Sequence, residues 1–475
     1  MVISQIADGL MRGVEGAGDR ISEALFEPVI RLGVTGLARS GKTVFITSLV
    51  ANLLDRGRMP GLAAERDARI EAAFLQPQPD DTVPRFDYES NLAALTGPDP
   101  RWPDSTRAIS ELRLSFRVRP AGLLAGLQGP RTVHLDIVDY PGEWLLDLAL
   151  LDQNYDRWAA DTMARIEGRD TARDFVARVR GVDPEAPHDE PLAQDLARRF
   201  TACLRRARTE GFHDCTPGRF LLPGDLEGSP ALTFAPLSVA GPSRRGSLHR
   251  EMERRFDAYK RAVVKPFFRD HFARIDRQVV LVDALGAIHA GPQAVEDMRR
   301  ALAEILSAFR PGRNVLLTRL LRGKRVEKIL FAATKADHLH HVQHPRLTAI
   351  MEALIREARD RAQFAGAETA AMAIAALRAT TEEMRPHNGR DLPCVRGRLL
   401  NDDGTAGRTA AFYPGELPED PARLLAPARE GAESWLDADY RFMSFAPAPL
   451  TLRPGEGPPH IRLDRAAQFL IGDRL

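Results

Sequence analysis

The chain opens its readable pattern with an apolar run at 29–34 (VIRLGV), and runs of similar, strand-like length recur at 109–118, 133–138, 278–282, 327–333 and 371–377. Within 109–118 the residues Leu112, Leu114, Phe116 and Val118 alternate with polar ones, the period of a strand with one buried face, and 122–130 reads as the hairpin connection to 133–138. Residues 44–54 continue as a helix after the first strand, whereas 57–103, rich in Pro, Asp and Arg, read as a long excursion. From 144 to about 272 the period turns helical, over 146–166, 192–208 and 248–268, broken by a Gly/Pro-rich loop at 216–247. Strand and helix then alternate again, with helices predicted over 294–309 and 345–363. Such alternation means a parallel sheet with right-handed crossovers. Beyond 385 the spacing shortens, with strands predicted at 395–400 and 440–445 and a closing helix at 463–471.

The first strand runs into Gly36-Leu37-Ala38-Arg39-Ser40-Gly41-Lys42-Thr43, a match to G-x-x-x-x-G-K-[ST] placed before a helix. Its glycines let successive backbone N–H groups, those of Gly36, Ala38, Arg39, Ser40, Gly41 and on to Val44, turn toward phosphate oxygens. Lys42 reaches the outer phosphates and the Thr43 hydroxyl suits Mg2+. In chain order there follow Asp139-Tyr140-Pro141-Gly142 at a strand end and Thr334-Lys335-Ala336-Asp337 at another. That order is the one used by GTP-hydrolysing P-loop proteins. Asp139 is expected to hold Mg2+ directly or through water, and the Gly142 N–H to sense the terminal phosphate. The Asp337 carboxylate can accept the N1 and 2-amino protons of guanine while the Lys335 stem covers the base, which favours GTP over ATP. Ala376 and Leu377 lie where a backbone N–H would meet the guanine carbonyl. Thr106, with Ser105 as competitor, is the expected switch hydroxyl completing the metal shell. Glu143 stands where Ras-like enzymes carry a water-orienting Gln, and Arg39 could neutralise transition-state charge in cis. Asp283 is a second strand-end carboxylate. His338, His340, His341 and His344 contain one i, i+4 pair, His340 with His344, and read as a solvated cap rather than a metal site.

Composition changes this picture in detail only. A 44% hydrophobic content supports a full core, and a net charge of +1 gives no reason to expect a nucleic-acid partner. The clusters Arg205, Arg206, Arg208 and Arg244, Arg245, Arg254, Arg255 read as solvated. Six lysines, 42, 260, 265, 324, 328 and 335, stand against a total of 66 Lys plus Arg, and two of them fall in the nucleotide motifs. Three cysteines, 203, 215 and 394, and no signal-like opening or transmembrane run place the expected location in the cytoplasm. Cys203, His213 and Cys215 lack a usual zinc spacing. Residues 1–26 line up Ile3, Ile6, Leu10, Val14, Ile21 and Leu25 as an amphipathic helix. Its acidic content favours docking on protein, with peripheral membrane contact the alternative.

The segments VTGLARSGKTVFITSLV, DIVDYPGEWLLDL, DRQVVLVDALGA, ATKADHLHH and PHIRLDRAAQFLIGD resemble the YcjX family of bacterial P-loop NTPases across nearly the whole chain. The resemblance implies a cytosolic GTP-binding domain with an all-helical insertion, GDP bound at 36–43 and 334–337, and an association with stress regulons. The expected fold is α/β: a P-loop NTPase parallel sheet with mixed edge, flanked by helices. The expected divisions are an N-terminal helix at 1–28, core at 29–143, helical insertion at 144–272, core at 273–385 and a small C-terminal lobe at 386–475. The expected function is Mg2+-dependent hydrolysis of GTP to GDP as a switch, with the insertion contacting a protein partner. A protein-remodelling ATPase and a nucleotide-binding scaffold are the alternatives.

Overall fold

A computed structural model describes residues 27–475 except 38, 105–107, 122–128, 213–214, 240, 242, 309–325, 365, 402, 437 and 439. The expected N-terminal helix, the hairpin tip at 122–128, His213, and the switch candidates Ser105 and Thr106 therefore lie outside the described residues. So does Ala38.

Seven strands make the central sheet: β1 (Val29–Gly36), β2 (Ile70–Gln76), β3 (Ser110–Val118), β4 (Arg131–Asp139), β5 (Arg277–Val282), β6 (Lys328–Ala333) and β7 (Glu368–Ala373), in the order β2-β3-β4-β1-β5-β6-β7. β4, β1, β5, β6 and β7 run parallel, while β3 pairs antiparallel with β4 and β2 antiparallel with β3. The α/β class with a mixed edge agrees with the sequence pattern. β2 does not: it sits inside the stretch read as an excursion. Its sequence IEAAFLQ buries only Ile70 fully and leaves Phe74 39% exposed, so an edge position hid its period. The last core strand is also displaced, ending at Ala373 rather than 377, because alanines carry little strand signal.

Alternate residues of the inner strands feed two cores, one on each face. Val279, Leu281, Leu330 and Ala332 join the helices Lys42–Leu54 and Leu463–Ile471 on one side. Val280, Val282, Ile329 and Phe331 join the helices Pro292–Ala308 and His344–Phe364 on the other. The second core runs on without a break into the helical stretch after β4, whose aromatic centre is Trp158, Phe175, Phe200, Phe234 and Phe256. That stretch includes Tyr155–Ile166, Arg173–Arg180, Glu190–Thr209 and Leu248–Tyr259, the last continuing through a wider turn at Lys260–Val264 into Lys265–Asp270.

A separate antiparallel sheet, β8 (Thr381–His387), β9 (Arg390–Leu400) and β10 (Ala406–Phe412), follows the main one. Residues 440–445, expected to be a strand, make a single bridge, Leu399 with Phe445. The closing helix returns to the main sheet, where Leu463, Ala466, Ala467, Leu470 and Ile471 are buried.

Candidate functional site

The parallel register brings the motifs to one edge. Gly36 lies beside Leu281, Val282 beside Ala333, and Ala333 beside Ala373, so the phosphate loop, Asp283, Thr334 and the segment after β7 all emerge at the carboxyl ends of neighbouring strands. Open parallel sheets bind ligands at that edge where the strand order reverses, here at β1, which the chain crosses in passing from β4 to β5.

Gly36 is required there: a Cβ would sit 2.0 Å from Ser40 Oγ and 3.0 Å from the Leu281 carbonyl oxygen. Arg39 holds φ +61° and Gly41 φ +78°, left-handed turns that coil the loop before the helix starts at Lys42. Lys335, in the other motif, also adopts φ +60°. Two of the five non-glycine residues with positive φ among the described residues thus fall in the motifs, as strained backbone does at ligand sites. The Arg39 side chain is exposed and Ser40 is buried.

Lys42 Nζ donates to the Tyr140 carbonyl (3.3 Å) and lies 3.7 Å from Asp139 Oδ1, which is buried at the end of β4. Thr43 Oγ1 donates to the Asp104 carbonyl (3.4 Å), so the chain reaches the loop just before the switch candidates. Gly142 is pressed against the loop: a Cβ there would stand 2.2 Å from the Gly36 carbonyl oxygen.

Asp337 is buried, its Oδ2 accepting the Ala379 N–H (2.8 Å) and its carbonyl accepting from the Thr380 hydroxyl (2.5 Å). The Lys335 ammonium pairs with Asp283, which also caps the following helix by accepting the Gly286 N–H (3.0 Å). Burial works against the Asp283 charge, yet Lys335 and that N–H hold its carboxyl below the ordinary value. Asp283 thus belongs to the Lys335 side of the edge. Leu377 is buried and Ala376 half-buried, in a segment paired with the C-terminal tail through Ala375 with Ile461 and the Arg378 N–H on the Pro459 carbonyl.

Several contacts were not foreseen. Glu143 is buried, and its Oε1 lies 2.8 Å from Arg208 Nη2. Arg208 is therefore no solvated charge, and neither is Arg255, buried between Glu190 and Glu251. Gly218 leaves room for the Glu143 backbone, since a Cβ would fall 2.3 Å from its carbonyl oxygen. Arg219 stacks on Trp144 at 3.3 Å, and the Tyr140 hydroxyl donates to Gln278 (2.5 Å) while its ring meets Phe267 and Phe272 edge-on. The available signal was the pair Asp-x-x-Gly-Glu and a helix-borne Arg, too far apart in sequence to be matched. The histidine cap needs correction too. His338 is half-buried with its ring against Phe445 (5.1 Å), and His344 is buried and held by the Ala336 carbonyl (2.8 Å) and Arg462 (3.2 Å). His340 is also buried, which leaves His341 exposed. All three cysteines are buried and outside any disulfide, and no helix among the described residues is long and apolar enough to cross a membrane.

Comparison with known proteins adds relatives to this geometry. The protein named Ras-like GTPase YcjX from Escherichia coli (strain K12) is 40% identical over 460 residues, covering 94% of this chain and 96% of its own. The protein of the same name from Shewanella oneidensis is 37% identical over 472 residues, 94% of each chain. The model of the YcjX-like family, DUF463, matches residues 30–475, and with the phosphate loop, Asp139 to Gly142 and Asp337 on one sheet edge, the chain belongs to that family.

Proposed function

We propose that the protein binds GTP with Mg2+ at this edge, hydrolyses it to GDP and signals the state of the nucleotide through its helical stretch. The contact of Gly142 with the Gly36 carbonyl carries the reading, because the next residue, Glu143, is gripped by Arg208 and Gly218 of that stretch. A rearrangement at the phosphate loop would reach the helices through one peptide. Both relatives carry the name GTPase, which supports hydrolysis of the guanine nucleotide.

Gly36, Ala38, Arg39, Ser40, Gly41 and Val44 would offer backbone N–H groups to the phosphates, and Lys42 would exchange the Tyr140 carbonyl for phosphate oxygens. Thr43 and Asp139 supply hard oxygen donors suited to Mg2+, with Thr106 the proposed third. Bound Mg2+ would neutralise phosphate charge. Asp337 would select guanine: the Ala379 N–H orients its carboxylate without using up the lone pairs the base needs. Thr334, Lys335, Ala376 and Leu377 would frame the base. Glu143 accepts from a water but cannot donate, so turnover would be slow unless Arg208 or Arg39 turns toward the phosphates. The helical stretch would present its surface to a protein partner.

Titration of the full chain with fluorescent GTP and ATP analogues, with and without Mg2+, tests the reading. Tighter binding of GTP that needs Mg2+ and is lost in Lys42→Ala is expected. Equal or preferred binding of ATP would overturn it.

A further inference from the structure

Three residues past Asp337 the chain turns back toward the start of β8, and there His340, His341 and Glu382 bring ligating atoms within 4.8 Å of one another. The geometry points to a binding site for a divalent transition ion of the zinc class, held by His340, His341 and Glu382 and separate from the nucleotide edge. Glu382 Oε2 lies 2.5 Å from His341 Nδ1 and 3.8 Å from His340 Nε2. Ligands at zinc's bond lengths in a tetrahedron stand about 3.4 Å apart, so these two separations bracket the required one. A small rotation of the exposed His341 would equalise them.

His340 supplies the independent observation. Its side chain is 8% exposed, its Nδ1 is buried with no hydrogen-bond partner among the described residues, and its Nε2 faces Glu382 beyond hydrogen-bond range. A buried imidazole that makes no hydrogen bond is uncommon, and a cation bound at Nε2 would give this ring the strong polar contact it lacks, with the proton kept on Nδ1. Two imidazoles and one carboxylate select borderline ions such as Zn2+ over Mg2+, which prefers oxygen, and leave a fourth position open to solvent beside His341. Arg378 Nη2, 3.5 Å from the other Glu382 oxygen, repels a cation but fixes the carboxylate, as outer partners of metal ligands do. An ion here would tie the loop after Asp337 to the strand that begins just after Thr380, whose hydroxyl already holds the Asp337 carbonyl.

Calorimetric titration of Zn2+ into the full chain, free of affinity tag and chelator, with excess Mg2+ and no nucleotide, tests this. One Zn2+ per chain is expected, with affinity falling by more than about tenfold in both His341→Ala and Glu382→Gln, since even outer-shell losses reach that scale. His341 is exposed, so its replacement leaves the packing intact, and circular dichroism confirms the fold of both variants. Co2+ in place of Zn2+ should give a spectrum without a thiolate charge-transfer band. Absence of saturable binding, affinity unchanged in the two variants, or a thiolate band from Cys203, Cys215 or Cys394 would each overturn the assignment.

Discussion

Asp337 and Gly142 show how much single residues decide. If Asp337 accepts from the base as proposed, replacing its carboxylate by an amide turns that acceptor into a partial donor, so Asp337→Asn should weaken GTP and shift preference toward xanthosine triphosphate by roughly 1–3 kcal/mol, the cost of an unsatisfied buried partner. Competition binding measures it, and an unchanged base preference would remove Asp337 from the base site. Gly142→Ala places a methyl 2.2 Å from the Gly36 carbonyl, a backbone atom that cannot swing aside. The phosphate loop must give way, so nucleotide affinity should fall and the fold lose about 1–3 kcal/mol, the usual cost of overpacking. Denaturant unfolding with and without GDP separates the two losses. Both positions stand out in the sequence because motif spacing encodes backbone geometry. Arg208 was not: nothing local distinguishes an arginine facing Glu143 from its neighbours Arg205 and Arg206, which face solvent.

Among the elements, the join between β4 and the helical stretch is where chemistry and packing meet. Just beyond Glu143, Asp147 is fully buried, accepting from the Gly218 N–H (2.8 Å) and the Tyr259 hydroxyl (2.5 Å). Burial pushes its carboxyl up to about 7, against the pull of Tyr259, Gly218 and Arg219. A carboxyl that holds its proton more tightly when folded contributes its full stability below the unfolded value of about 4 and loses it as pH climbs toward 7. Glu111, pushed up to about 7 by burial and the nearby Asp136, acts in the same window. Thermal unfolding should therefore show stability falling from pH 5 to pH 8 by an amount on the order of a few kcal/mol. Asp147→Asn should remove one share of that slope and leave the share of Glu111, and a flat profile in the parent protein would contradict both. The helical stretch itself was legible as an element, because its 3.6-residue period runs through Tyr155–Ile166, Glu190–Thr209 and Leu248–Tyr259. β2 was not, because an edge strand with one fully buried residue has almost no period to read.

For the molecule as a whole, the C-terminal tail acts as a strap from the segment after β7 to the start of β5. Arg277, 1% exposed at the start of β5, donates to the Leu470 carbonyl (3.1 Å) and pairs with Glu327 and Asp473 (2.8 Å). Arg277→Leu should destabilise the fold by about 1–3 kcal/mol, the partners being half in water, and Arg277→Lys should not restore it, since a point-like ammonium cannot meet three acceptors in a plane. Chemical denaturation checks both, and a neutral Arg277→Lys would show that charge alone suffices. By itself the sequence determined the α/β alternation, the three motifs at strand ends and the helical stretch between the second and third of them, because period and spacing are local and survive without a fold. Only the tertiary structure decided that the closing helix caps the first core instead of a separate lobe, that Arg208 meets Glu143, and that Glu382 joins His340 and His341. Those pairings depend on strand order and on which buried charge lies nearest in space, and distance along the chain carries no record of either.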